Sequence, residues 1–409
     1  MTPLKLVLAF IRRKPATWSF HGLTLAVAVA ATGAVLLVEQ AARVQLARDL
    51  AGVDLVVGAE GSPLQLVMST LFQADVPTGN IPLAEADSLA ADPLVATAVP
   101  LSLGDSFGGA RIVGTTRDYA ALYGARLDRG RWWSSPLEAV VGAEVARRQG
   151  LAVGDAFAGA HGLSPGGYAH EGEPYRVVGV LAPTGAVIDR VILTDVASVW
   201  ALHDHENAGA TDAPHPDEVH GHGGSVAPEA DRQVTAVLIR YRSSLGAVVL
   251  PPKVARIAGL QAASPPRETQ RLNGLLGAGA GALARLGQGL LALAGVGFIV
   301  AMSAAILARR RELALLKALG ASRARLAVLV STEGVLLGLA GGIAGVVLAR
   351  GLSEAVARWG GAPLSLPIAP PSILDLALVG AAGLIGLLAS LPAAIIAGRT
   401  DPVDVLGEG

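Results

Sequence analysis

The sequence predicts an α-helical membrane protein with four transmembrane helices and one large extracytoplasmic α+β domain. Three observations carry this. The 409 residues are 52% hydrophobic and 16% charged, with a mean hydropathy of +0.52, whereas soluble proteins carry about 25% charged residues. Four apolar runs, 17–38, 286–308, 326–349 and 373–397, each reach the ~20 residues needed to cross about 30 Å of hydrocarbon. Between the first two runs, residues 39–285 are patterned like a folded domain and are long enough for one or two cores.

The elements follow in order. Residues 1–16 carry Lys5, Arg12, Arg13 and Lys14, which reads as an amphipathic N-terminus on the cytoplasmic side. The run 17–38 exceeds the 7–15 residues of a signal-peptide core and no clear cleavage site follows, so it reads as a span. In the domain, 53–57, 95–103, 110–114, 138–141, 175–181, 190–193 and 234–241 read as strands. Segments 63–73, 83–91 and 143–150 read as helices, the first with Pro63 at its opening position. Trp132 and Trp133 read as core aromatics. Residues 203–231 lack any apolar period and read as a flexible loop. A helix over 267–284 is expected to lead into the second span. A short outer loop is expected over 350–372, and a cytoplasmic tail over 398–409, with Arg399 just after the fourth span.

The connector 309–325 is the most informative stretch. It holds six basic residues, Arg309, Arg310, Arg311, Lys317, Arg323 and Arg325, between two membrane-length runs, which places it on the cytoplasmic side. It also has helix logic. Leu313, Leu316 and Leu319 form an apolar stripe, Gly320 is a stop, and Ser322 can cap the following helix. Taken alone, it reads as either a plain positive-inside loop or a surface helix poised to touch a soluble partner.

The third span carries Gly338, Gly341, Gly342 and Gly345, small-xxx-small spacings that let helix backbones approach. In an Ala/Gly-rich chain they also read as simple tolerance. Glu333 lies two turns into that span, where a carboxylate is costly and faces protein or water. It is either a functional site or one half of an ion pair with a nearby arginine.

Several classes of chemistry are excluded or left open by composition. There are no cysteines, so disulfides, thiolate metal sites and cysteine nucleophiles are absent. A net charge of −1 gives no field for nucleic acid. Five of the eight histidines, His203, His205, His215, His220 and His222, fall in the 203–231 tract among acidic residues. They are candidate zinc ligands, or part of a solvated loop. No H-E-x-x-H and no G-x-x-x-x-G-K-[ST] occurs. The single G-x-S-x-G, Gly162 to Gly166, has Pro165 where an oxyanion-hole N–H is needed. The chain therefore reads as non-catalytic.

The architecture and the residues Arg310-Arg311-Glu312, Leu315 to Ser322, Glu333, the glycine series, Leu391-Pro392-Ala393 and Asp401-Pro402-Val403 resemble the FtsX-like/MacB-like permease family of ABC transporters. Val53 to Gly58, Leu151 to Asp155 and Tyr175 to Val180 look like the family's periplasmic core. The resemblance implies a dimeric, multi-pass subunit of a bacterial inner membrane. It has no cofactor of its own; ATP and Mg are bound by a cytoplasmic ABC ATPase partner. Arg310, Arg311, Glu312, Lys317, Gly320, Ser322 and Arg323 become candidate ATPase-coupling residues. Glu333 and the four glycines become packing residues. The implied work is export or extraction of a hydrophobic, lipoprotein, peptide or metal-related substrate, with membrane lipid and a periplasmic or outer-membrane protein as further partners. The alternative is a transmembrane lever that regulates a periplasmic partner.

Overall fold

The computed structural model describes residues 15–50, 52–162, 173–209, 232–359 and 371–399. The chain divides into a helical unit, Met1–Val44 with Leu275–Gly409, and an α/β unit, Gln45–Gly274. Helix α1 (Pro15–Asp49) opens the described chain. The α/β unit then runs β1 (Leu55–Ala59), α2 (Pro63–Thr70), β2 (Ile81–Pro82), α3 (Leu83–Ala90), β3 (Val95–Phe107), β4 (Ala110–Thr115), α4 (Arg117–Leu122), β5 (Leu127–Gly130), β6 (Glu138–Val141), α5 (Ala143–Gln149), β7 (Ala156–Phe157), β8 (Ala160–His161), β9 (Tyr175–Leu181), β10 (Ile192–Asp195), α6 (Val196–Gly209), β11 (Gln233–Val234), β12 (Ala236–Tyr241), α7 (Gly246–Val254) and β13 (Leu260–Ala263).

Among the described residues, eleven strands form one mixed sheet in the order β13-β1-β12-β3-β4-β10-β6-β9-β5, with β7 on β9 and β8 on β3. The β4–β10 and β6–β9 pairs are parallel. Side chains alternate across the sheet with period two. Val56, Val113, Val140, Leu193 and Leu238 pack with Leu66 and Val67 of α2, Tyr119 of α4 and Trp133. Their neighbours Leu55, Val57, Val237 and Ile239 pack with Leu89 of α3 and Leu250 of α7, and Ile112, Ala139, Val141 and Ile192 with Val145 of α5 and Leu202 of α6. A sheet covered on both faces reads as continuous apolar runs, which is why 138–141 and 175–181 stand out in the sequence. Each fully buried Val, Leu or Ile contributes about 1.5–3 kcal/mol.

Local chemistry accounts for the element ends. Ser62 caps α2 by accepting from the Gln65 N–H, and Pro63 fills the first turn, where no N–H is needed. The end of α1 is tied into the domain through Asp49. Its carboxylate accepts from Arg190 Nη2 at 3.0 Å and Gln45 Nε2 at 2.9 Å, and its carbonyl accepts from the Tyr123 hydroxyl at 3.3 Å.

Several expectations need correction. Residues 203–209 continue helix α6; the flexible-loop reading was wrong there, and 210–231 lie outside the described residues. The strand over 95–103 continues to Phe107 through a register shift between Leu103 and Ser106. Arg190 ends a 3-10 turn, Val187–Arg190, and the strand follows at Ile192. The strand over 234–241 breaks at Thr235 into β11 and β12. Helix α7 was missed because Pro251 and Pro252 lie inside it; burial of Leu250 and Val254 holds it despite the prolines.

The helical unit contains the larger part of α8 (Pro265–Ala308), from Leu275 on, with α9 (Arg310–Ala318), α10 (Arg323–Trp359), α11 (Ile373–Arg399) and the first part of α1. Four of the described helices are long and apolar enough to cross a membrane. They outrun the apolar stretches. α8 has 44 residues, about 66 Å at 1.5 Å per residue, and α10 continues through 350–359, where the outer loop was expected.

Candidate coupling site

The chain passes from α8 to α9 through one non-helical residue, Arg309, with φ −109 and ψ 15. Its N–H bonds the Ile306 carbonyl and its own carbonyl accepts from the Leu313 N–H. Helix α9 ends in a reciprocal lock: the Gly320 N–H bonds the Lys317 carbonyl and the Ala321 N–H bonds the Leu316 carbonyl, each at 3.0 Å. This Schellman geometry needs a left-handed residue at the stop, supplied by Gly320 at φ +95. Ser322 then caps α10, its hydroxyl accepting from the Arg325 N–H at 3.3 Å. A nine-residue helix would be marginal alone; these ends and the burial of Leu313 and Ala314 fix it.

The candidate residues divide by where α9 turns them. Arg310, Arg311, Glu312, Ser322 and Arg323 are exposed. Lys317 is half-buried and donates to the Gly398 carbonyl at 3.3 Å. It therefore ties α9 to the negative end of the α11 dipole rather than facing outward. The apolar stripe also needs revising. Leu313 is buried and Leu316 packs against the same core, but Leu319 is 84% exposed and Leu315 is 52% exposed. Leu319 falls about 120° round the helix from Leu313 and so leaves the buried face. Leu315 and Leu319 lie one turn apart beside Arg311 and Glu312, making an apolar patch with charged neighbours.

Glu333 of α10 is paired. Arg309 donates to it with both terminal nitrogens, at 3.1 and 2.9 Å. The two side chains are 10% and 2% exposed, and the guanidinium carbon sits 5.2 Å from the centre of the Trp18 ring. Trp18, Phe298, Met302, Ile306, Leu326 and Val330 belong to the apolar cluster at this end of the bundle. A second pair, Arg350 with Asp375, joins α10 to the start of α11; Arg350 Nε lies 3.2 Å from Asp375 Oδ1. Asp375 also accepts from the Ser372 N–H at 2.7 Å, so it caps α11 as well. The sequence carried a signal for this pair: Arg350 just after one apolar run and Asp375 just inside the next face each other in an antiparallel hairpin.

The glycines of α10 split between two neighbours. A Cβ on Gly342 would sit 2.9 Å from Ala382 Cβ, and one on Gly338 would meet the Ala382 carbonyl, both on α11. A Cβ on Gly345 would lie 2.6 Å from Val29 Cβ, and one on Gly341 would lie 3.1 Å from the Gly22 carbonyl, both on α1. Gly334 and Gly386 extend the first seam, each closing on the other's carbonyl; the sequence reading had not included them.

His203 and His205 lie on α6, with side chains outside the described set, and His215, His220 and His222 lie outside the described residues. Ser164 lies outside them too. Among the described residues no group of three His, Asp or Glu side chains is placed to hold a metal. His161 in β8 faces the buried Asp105 of β3, Nδ1 to Oδ1 at 3.0 Å.

Two family models match the chain. Residues 288–402 match the family described as FtsX-like permease C-terminal, and residues 23–243, over half of the chain, match the MacB-like periplasmic core domain. The periplasmic region of MacB from Actinobacillus actinomycetemcomitans superimposes with a TM-score of 0.34 at 12% identity, covering 56% of this chain and 95% of that one. The extracellular domain of the noncanonic ABC-type transporter YknZ from Gram-positive bacteria gives 0.29 at 11% identity, covering 51% and 98%. No curated protein sequence matches the chain.

Proposed function

The chain belongs to the FtsX-like/MacB-like permease family of ABC transporters, and we propose that within it this protein couples a cytoplasmic ATPase to movement of its α/β domain. The observation that carries this is the face of α9. Leu315 and Leu319 are exposed beside Arg311 and Glu312, on a helix whose opposite side is locked into the bundle. An exposed apolar pair rimmed by charges suits a protein partner. The basic connector then lies in the cytoplasm, with both termini, and the α/β domain lies outside the inner membrane.

The family implies the ATPase partner, and ATP with Mg would be bound there. The assembly is a dimer of this subunit. The α8 span supports that reading, since 17% of it is buried within the chain against 39–41% for the other three; it offers the most surface to a second copy or to lipid. The two carboxylates inside the apolar runs, Glu333 and Asp375, are each paired with an arginine at a run's edge, Arg309 and Arg350, which suits transmission of force better than a polar conduit. Export or extraction of a substrate met outside the membrane is the leading reading. A lever acting on a periplasmic protein draws on the same face of α9, with the movement delivered to a partner protein in place of a substrate.

The test is purification of the tagged chain from its host in mild detergent. A stoichiometric ATPase is expected, and Leu319→Asp should release it. A chain that comes through without one, under conditions that preserve other ABC complexes, would overturn the coupling role. Stimulation of the complex by a candidate substrate would separate transport from lever.

A further inference from the structure

We infer that Arg309 and Glu333 are positioning residues that latch the angle of α9 and pass its motion to α10 and α1. The inference rests on α9 being the ATPase-docking helix, and it adds the route by which that helix acts. The joint residue carries the grip. Arg309 is the one non-helical position between α8 and α9, and its side chain is the one that reaches Glu333 on α10 and lies by Trp18 on α1. Its Nε also lies 3.3 Å from the Ala305 carbonyl on the α8 side of the joint. Rotation of α9 about this joint therefore drags a guanidinium bonded in three directions.

The chemistry favours a two-position device over a soft contact. The fork is bidentate and planar, so it fixes direction as well as distance. The carboxylate is 2% exposed, so a state with the pair broken has no water to repair it. The arrangement is held or released as a unit, as transmission between discrete states requires. Lys317 at the far end of α9 donates to the Gly398 carbonyl of α11, so α9 is tethered at both ends, with the bidentate pair at its joint.

The experiment uses the full chain in lipid nanodiscs. It has no cysteine, so Leu315→Cys with Val328→Cys, both at exposed positions, can be spin-labelled cleanly to report the α9–α10 distance. One narrow distance is expected in the otherwise native chain and a broad distribution in Glu333→Gln, while Glu333→Asp, which keeps the charge, retains the narrow one. Arg350→Gln, which breaks the other pair, should leave it narrow. In the complex, Glu333→Gln should retain the ATPase in full amount while its stimulation by the permease drops about tenfold, within the range of ordinary coupling between sites. Should Glu333→Gln fail to fold, Arg309→Lys, which keeps the charge and loses the fork, should broaden the distance in the same way. A narrow distance and full stimulation in the variant that folds would overturn the latch. Absence of a bound ATPase from the native chain would instead overturn the docking role of α9 and leave the distance measurement to decide the latch.

Discussion

Two arginine–carboxylate pairs, one in each unit, show what surroundings do to the same chemistry. Arg131 and Glu138 of the α/β domain are 55% and 16% exposed. Glu138 also accepts from the Ser134 N–H at 2.8 Å, and the Arg131 guanidinium first, then that N–H, bring its carboxyl down to about 2. Arg309 and Glu333 of the helical unit are 10% and 2% exposed, at 2.9 Å. The exposed pair can exchange its partner for water. The buried pair cannot, so its loss leaves a charge stranded among apolar side chains. The domain is held by its two-sided apolar core and can spare a surface pair; the bundle, whose helices have less apolar surface to hide from lipid, depends on close packing and on its few polar locks.

Breaking the comparison at its strongest point should give the largest effect. Arg309→Ala is expected to lower stability by about 3–5 kcal/mol, seen as early thermal unfolding in detergent; an unchanged midpoint would mean that water reaches Glu333. Next comes Gly345→Val, where the added side chain must displace Val29, with an expected cost of about 1–3 kcal/mol and weakened α1–α10 cross-linking. Arg350→Ala should cost about 1.5 kcal/mol, because Asp375 keeps its bond to Ser372 and the pair is less buried, at 21% and 11%.

The smallest effect belongs to the exposed pair, and it depends on pH. The folded Glu138 carboxyl is depressed to about 2 from an ordinary value of about 4.3. Its contribution is thus present above the ordinary value and lost as pH falls toward 2. Arg131→Ala should separate from the parent chain slightly at pH 7 and less at pH 3. A gap that widens on acidification would contradict the assignment.

The fold class was legible because two periodicities are plain in the sequence. Four apolar runs have membrane length, and segments such as 138–141 and 175–181 are apolar enough for a sheet covered on both sides. Edge and short elements were not legible. β5 and β13 are four residues each, and α7 contains two prolines; packing, not local propensity, holds them. At the candidate site, the caps Gly320 and Ser322 could be read locally because they act on neighbouring backbone. That Glu333 needs a partner followed from its depth. That Arg309 supplies it, under Trp18, did not, since those three residues are joined only by the packing of α1, α8 and α10. The exposure of Leu319 was hidden because residues three apart look like a stripe, yet each step of three falls about 60° short of a full turn, so Leu319 lies about 120° round from the buried Leu313.

The most direct measurement compares ATP hydrolysis by the co-purified complex containing the native chain with that containing Leu319→Asp. Leu319 is exposed and outside the core, so stability should change by no more than about 0.5 kcal/mol. Loss of the bound ATPase and of its permease-stimulated rate, with an unchanged unfolding midpoint, is the result expected if α9 is the coupling surface. Equal ATPase content and equal rates in the two complexes would contradict that role.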